Sequence, residues 1–151
     1  MNQRRRRWGL LAFFVVSMVA FAGGSQSYAQ NPDQGFVEEA ANQFWYGFDR
    51  GDLSSLYKSL STAFRVQIAE AQFVQTVGYM RIQAGGVALT RALSGSQLMN
   101  SPPGFPDGDY FYVRYRARYS NGDVFQDAFF VKDGTAWRVY SFNVLAAPPA
   151  Q

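Results

Sequence analysis

The hydrophobic pattern of this chain changes period once, at Gly85-Gly86, and that single switch dictates the order of its elements. Before it, Phe36, Ala40, Phe44 and Phe48 recur at spacing four with Val37, Ala41 and Trp45 beside them. This is the wide apolar stripe of an amphipathic helix. Gly51 ends it, and Asp33 stands where an N-cap would. Asp52 is placed to cap a second helix through Leu53, Leu56, Tyr57 and Leu60, and Ser61 to start a further turn through Phe64 and Ile68. Phe73, Val77 and Met80 mark a third helix over Ala69 to Ala84, with Arg81 near its C-terminus.

After the glycine doublet the pattern alternates. Val87, Leu89, Arg91 and Leu93 predict a first strand with a bulge at Gly95. Pro102, Pro103 and Pro106 force a loop over Asn100 to Gly108. The second strand, Asp109 to Tyr119, meets the third, Val124 to Val131, through Asn121-Gly122. Asp133-Gly134 leads to the fourth, Ala136 to Leu145. The expected fold class is α+β, three N-terminal helices packed on a curved four-stranded antiparallel sheet.

Even-length turns fix which residues share a face. One face should hold Phe111, Val113, Tyr115, Ala117, Tyr119, Val124, Gln126, Ala128, Phe130, Trp137, Val139, Ser141 and Asn143. Being mostly uncharged, it should turn to the helices. The other carries Arg114, Arg116 and Arg118 among aromatic rings, with Asp127 opposite Arg116 as an expected ion pair.

The ends of the chain read differently. Arg4 to Arg7 precede an apolar run from Trp8 to Ala22, too short at about 15 residues to span a bilayer comfortably, where roughly 20 are needed. Ser27-Tyr28-Ala29 then supplies the small residues of a cleavage site. We expect a Sec-type signal peptide over residues 1–29, cut between Ala29 and Gln30, with an uncleaved membrane anchor as the alternative and twin-arginine export less well matched. A flexible start over 30–35, one domain over 36–145 and a disordered tail over 146–151 complete the division, and the destination is periplasmic or secreted. Of 14 lysines and arginines the leader takes four, leaving 10 against 11 acidic residues. Nucleic acid and anionic membranes therefore have no electrostatic claim as partners after cleavage. Cysteine and histidine are both absent. Thiol and imidazole catalysis, disulfides, lipid attachment at a cysteine and histidine metal sites are excluded.

Phe44-Trp45, Asp49-Arg50-Gly51-Asp52, Arg81 and Arg91 about the glycine doublet, Pro106-Asp107-Gly108-Asp109-Tyr110 and Asp133-Gly134-Thr135-Ala136-Trp137-Arg138-Val139 occur in a set order. Together they resemble the secreted bacterial family of domain of unknown function 4019 over about residues 36 to 145. That family is similar to the nuclear transport factor 2-like group, a cone of helices wrapped by a curved sheet that includes ketosteroid isomerase. The resemblance implies the cone but no activity, since the group hosts many functions. It also implies Glu where this chain has the neutral Gln126, beside Arg91.

Candidate sites follow from the faces. Arg91, Tyr115, Gln126, Ser141 and Asn143 are the polar residues sent inward, able to hold a small ligand or to satisfy one another. Tyr112, Arg116, Phe129 and Tyr140 mark an aromatic outer face that could join two copies as a homodimer or lie under arginine stems. Proton transfer needs a buried carboxylate facing a donor. Asp127 sits mid-strand but outside, while Asp49, Asp52, Asp107, Asp109 and Asp123 fall at helix ends and turns as caps. No cofactor and no metal are expected. The sequence favours a non-catalytic binding or interaction domain over an isomerase or lyase of the ketosteroid isomerase type.

Overall fold

The computed structural model describes residues 31–148; the expected signal segment, its Ala29–Gln30 cleavage site and residues 149–151 lie outside them. Within these bounds the fold is α+β, with four helices followed by a four-stranded antiparallel sheet. The helices are α1 (Gln34–Arg50), α2 (Leu53–Ser59), α3 (Thr62–Arg65) and α4 (Glu70–Ala84). The turn expected after Ser61 is thus a helix in its own right. The strands β1 (Thr90–Asn100), β2 (Asp109–Tyr119), β3 (Gly122–Asp133) and β4 (Ala136–Ala146) pair in chain order.

Local chemistry explains the helix ends. Asp52 accepts from the Ser55 amide at 3.4 Å and Ser61 from the Phe64 amide at 3.2 Å, as expected of N-caps. Asp33 makes no such bond. Its carboxylate instead accepts from Trp137 Nε1 at 3.0 Å and lies 3.2 Å from Lys132, tying the start of α1 to the β3–β4 hairpin. Gly51 and Gly85 stop α1 and α4 with φ of 74° and 114°, a region that favours glycine. At Gly85 a Cβ would also come within 2.6 Å of Ser120 Oγ, so only glycine lets α4 end against the β2–β3 turn.

The core lies between the helices and one face of the sheet. Val37, Ala41, Trp45, Phe48, Leu56, Phe73 and Val77 meet Phe111, Val113, Ala117, Ala128, Phe130 and Val139 there. Removing this much apolar surface from water is the main stabilising contribution. The inner face of β2 and β3 matches the sequence expectation, but three details differ.

The β2–β3 turn is Ser120-Asn121, with Tyr119 opposite Gly122, and not Asn121-Gly122. That moves each partner by two positions while preserving the faces. Asp127 therefore lies opposite Arg114, not Arg116, and the expected Arg116–Asp127 pair does not form. In β4 the register shifts so that Phe130 faces Val139 but Phe129 faces Ser141. The extra residue, Tyr140, reverses the strand's alternation from there on. Phe142 turns inward, its ring centroid 5.0 Å from Phe44 and 6.1 Å from Trp45, while Ser141 and Asn143 turn outward. The tail is also held as far as Pro148: the Ala147 amide donates to Asp123 O at 2.9 Å, and Arg116 Nη2 donates to Pro148 O at 2.7 Å. Among the described residues no helix is long and apolar enough to cross a membrane.

Candidate functional site

The most concentrated polar chemistry lies under the end of α1. The apolar stripe of that helix leaves Asp49 in its last turn facing the sheet, 4% exposed. Arg91 of β1 and Tyr119 at the end of β2 reach it, and Gln126 from the middle of β3 joins those two. Arg91 Nη2 donates to Asp49 Oδ2 at 2.6 Å, and its Nε donates to Gln126 Oε1 at 2.7 Å. Gln126 Nε2 donates to the Tyr119 hydroxyl at 2.7 Å, which donates in turn to Asp49 Oδ1 at 2.8 Å. Four side chains from four elements thus close a ring.

The ring is buried and internally matched. Gln126 is fully buried, Tyr119 nearly so, and the Arg91 side chain is 8% exposed. None of its polar atoms is buried without a partner. Burial, followed by the hydrogen bond to Asp49, pushes the Tyr119 hydroxyl well above the usual tyrosine range. It is held as a neutral donor. Arg81 of α4 adds two bonds from Nε and Nη2 to the Asp49 carbonyl, at 2.8 and 2.6 Å, closing the C-terminus of α1.

Of the five residues assigned inward from sequence, Arg91 and Gln126 meet directly. Tyr115 lies across from Gln126 in the ladder, but its hydroxyl donates to the Glu38 carbonyl at 2.9 Å, away from the ring. It shares that end of α1 with Ser96, whose hydroxyl accepts from Gln34 Nε2 at 2.8 Å and donates to the Glu38 carboxylate. Ser141 and Asn143 are on the opposite face. Asp49 and Tyr119 were missed: proximity to Gly51 made Asp49 look like a terminal cap, and Tyr119 sits beside the turn. The signal that could have found them was the position of Asp49 on the buried stripe, one residue after Phe48 and four after Trp45.

The outer face carries a second network. Arg114 grips Asp127 with two bonds of 2.7 Å, and the Tyr112 hydroxyl donates to the same carboxylate at 3.0 Å. The Arg114 guanidinium lies 4.6 Å from the Phe125 ring centroid, a cation–π contact. Arg116 is paired with Asp123 at 3.0 Å, which Arg118 also reaches at 2.9 Å. Phe105, from the proline-rich loop, covers Phe129, Tyr140 and Tyr110 at centroid distances of 4.8, 5.2 and 5.3 Å. Tyr112, Arg116, Phe129 and Tyr140 are accordingly only part-exposed, and the strongly exposed apolar residues lie elsewhere.

Two shallow surface grooves flank these networks. One, of about 210 Å³, runs between Thr90, Ala92, Arg116, Arg118 and Asp123. The other, of about 260 Å³, lies between Phe36, Ala40, Lys132 and Trp137. Among the described residues, no three acidic side chains gather as metal ligands would.

The ring, the Arg114–Asp127 pair and the core that positions them, Val37 excepted, fall within residues 40–142, which match the model of a family described as proteins of unknown function, DUF4019. The chain belongs to that family. No curated protein matches it. The DUF4019 match runs from the middle of α1 into β4, so it takes in all four members of the ring and the α4 arginine that braces it.

Proposed function

We propose that this DUF4019 protein is an exported, non-catalytic interaction domain of the nuclear transport factor 2-like type. The observation that carries this reading is the closure of the ring. A binding pocket presents unspent donors and acceptors to an incoming ligand, whereas Asp49, Arg91, Gln126 and Tyr119 spend theirs on one another. The leader over residues 1–29, with a basic block before an apolar run, supports a periplasmic or secreted location, and the near-balanced charge of the remainder supports a partner that is not a polyanion.

One observation favours a second reading. A buried carboxylate 2.8 Å from a tyrosine hydroxyl is the kind of pair an isomerase or lyase uses for proton transfer. Against it, Arg91 and Tyr119 each hold one oxygen of Asp49, so the carboxylate is already engaged on both sides.

Native mass spectrometry of the protein purified from its own cell envelope tests both. The expected result is a chain beginning at Gln30 with no retained small molecule. Retention of residues 1–29 would overturn export with cleavage. A stoichiometric ligand lost on Arg91→Met would overturn the closed interior.

A further inference from the structure

The outer face of the sheet is unevenly charged at one end. There β2 carries Arg114, Arg116 and Arg118, and β3 answers with Asp127 and Asp123, so three guanidiniums meet two carboxylates. Arg114 takes Asp127 with both of its bonds. Arg116 and Arg118 divide Asp123, the first on Oδ2 at 3.0 Å and the second on Oδ1 at 2.9 Å, which leaves one positive charge uncompensated. Arg118 first, then Arg116, holds Asp123 below the usual carboxylate range, so this imbalance stands at neutral pH.

On the other flank of β2 nothing balances it. Thr90 lies opposite Arg118 and Ala92 opposite Arg116, and β1 has no acidic residue. The carboxylates that bond to this half of β1, Asp49 through Arg91 and Glu38 through Ser96, do so on the helix side, since Arg91 lies opposite Ala117 and Ser96 opposite Val113, both core residues. The small Ala92 side chain leaves the groove of about 210 Å³ that Thr90, Arg116, Arg118 and Asp123 also line. Arg116 is fixed in place from two sides, by Asp123 and by Pro148 O. Among the described residues it uses only Nε and Nη2, and Arg118 only Nε, so both guanidiniums keep donors to spare beside the groove.

We propose that this groove binds one carboxylate, from a small organic acid or the C-terminal end of a peptide, bridged by Arg116 and Arg118. The same two arginines already bridge the two oxygens of Asp123 on the β3 side, which shows the chemistry they suit. A carboxylate carries the single charge that the imbalance calls for. The groove is smaller than the roughly 300–1,000 Å³ of pockets that enclose drug-sized ligands, so it fits a head group and not a whole ligand. With Arg118 60% exposed, binding is weak, sensitive to salt and fast to exchange. The site rests on the interaction-domain reading only in that its ligand is held and not turned over.

Titration with sodium acetate against chloride at constant ionic strength tests it, followed by NMR through the arginine Nε–H signals and the Thr90 amide of protein purified from cells expressing the full-length gene. The expected result is a saturating shift at Arg116, Arg118 and Thr90. Arg118→Gln, at an exposed position, balances the charges and should weaken binding about tenfold, the worth of one charge-assisted hydrogen bond. Ala92→Leu keeps every charge but fills the groove, so it should abolish saturation in a protein still folded by circular dichroism. An acetylated tripeptide with a free C-terminus separates the two sources: tighter binding than acetate assigns peptide ends, weaker binding free acids. Shifts that rise without saturating, that survive Ala92→Leu, or that the amidated tripeptide reproduces would overturn the site. None of these touches the non-catalytic reading, which turnover of a small substrate would overturn with the groove still binding acetate.

Discussion

Two carboxylates on opposite faces of one sheet, Asp49 and Asp127, each pair with an arginine and accept from a tyrosine hydroxyl, yet they differ in what they join and in how wet they are. Asp127 bonds side chains of the neighbouring strand, and its Arg114 keeps 35% of its side chain exposed. Asp49 joins α1 to residues 42 and 70 positions away, and its Arg91 is 8% exposed. An arginine partly open to water can be rehydrated if its carboxylate goes, even where that carboxylate, like Asp127 at 7% exposure, is itself buried. A sealed pair cannot, and its surviving charge is stranded. The outer network is local and forgiving, while the inner ring is long-range and all-or-none.

The largest separation of the two should come from single removals. Asp49→Asn or Arg91→Met is expected to cost about 3–5 kcal/mol, and Asp127→Asn about 1–2 kcal/mol because Arg114 regains water. Urea unfolding with matched slopes would measure both; equal losses would erase the distinction. A smaller effect is expected from Gln126→Glu, which installs the residue type implied by the family resemblance. The Tyr119 proton cannot serve two carboxylates, so the variant should lose about 1–3 kcal/mol at neutral pH. Part of the loss should return in acid, where the introduced carboxyl takes up a proton and can donate to Tyr119 as the amide does; urea midpoints at two pH values would show it.

The pH profile separates the faces further. Burial first, then the neighbouring carboxylate, raises the hydroxyls of both Tyr119 and Tyr112 above their ordinary range. A raised folded value means the neutral form is favoured, so this stabilisation is complete below about pH 10, where unfolded tyrosine ionises. It fades as pH climbs through the folded values. Tyr112→Phe should remove part of that alkaline loss at little cost near neutrality, whereas Tyr119→Phe should be costly at every pH because it opens the ring. The smallest effect belongs to the rim. Arg118 first, then Arg116, lowers Asp123, and its contribution should hold above about pH 4 and fall away as pH drops through the lowered value. Asp123→Asn should flatten that part of the acid limb in a pH series of thermal melts.

Helix and strand order was legible because the period changes sharply at Gly85-Gly86, and the inner faces of β2 and β3 were legible because their alternation is unbroken. The register was not, since Asn121-Gly122 and Ser120-Asn121 both give two-residue turns and differ by a two-residue shift of every partner that leaves the faces unchanged. The β4 bulge left a trace that parity alone passes over: apolar residues fall at 137 and 139, then at 142 and 144. Half of the ring was readable as Arg91 with Gln126. Its other half was hidden by neighbours: Gly51 made Asp49 look like a cap although its spacing from Trp45 puts it on the buried stripe, and Tyr119 sits beside the turn.

Equilibrium unfolding of Asp49→Asn beside the wild-type protein tests the closed interior most directly. A carboxylate kept for structure should cost about 3–5 kcal/mol when neutralised, with the double variant Asp49→Leu/Arg91→Met recovering much of the loss. A carboxylate kept for chemistry commonly stabilises the fold when removed, so an Asp49→Asn variant as stable as the wild type, or more so, would contradict the closed ring as the purpose of that site.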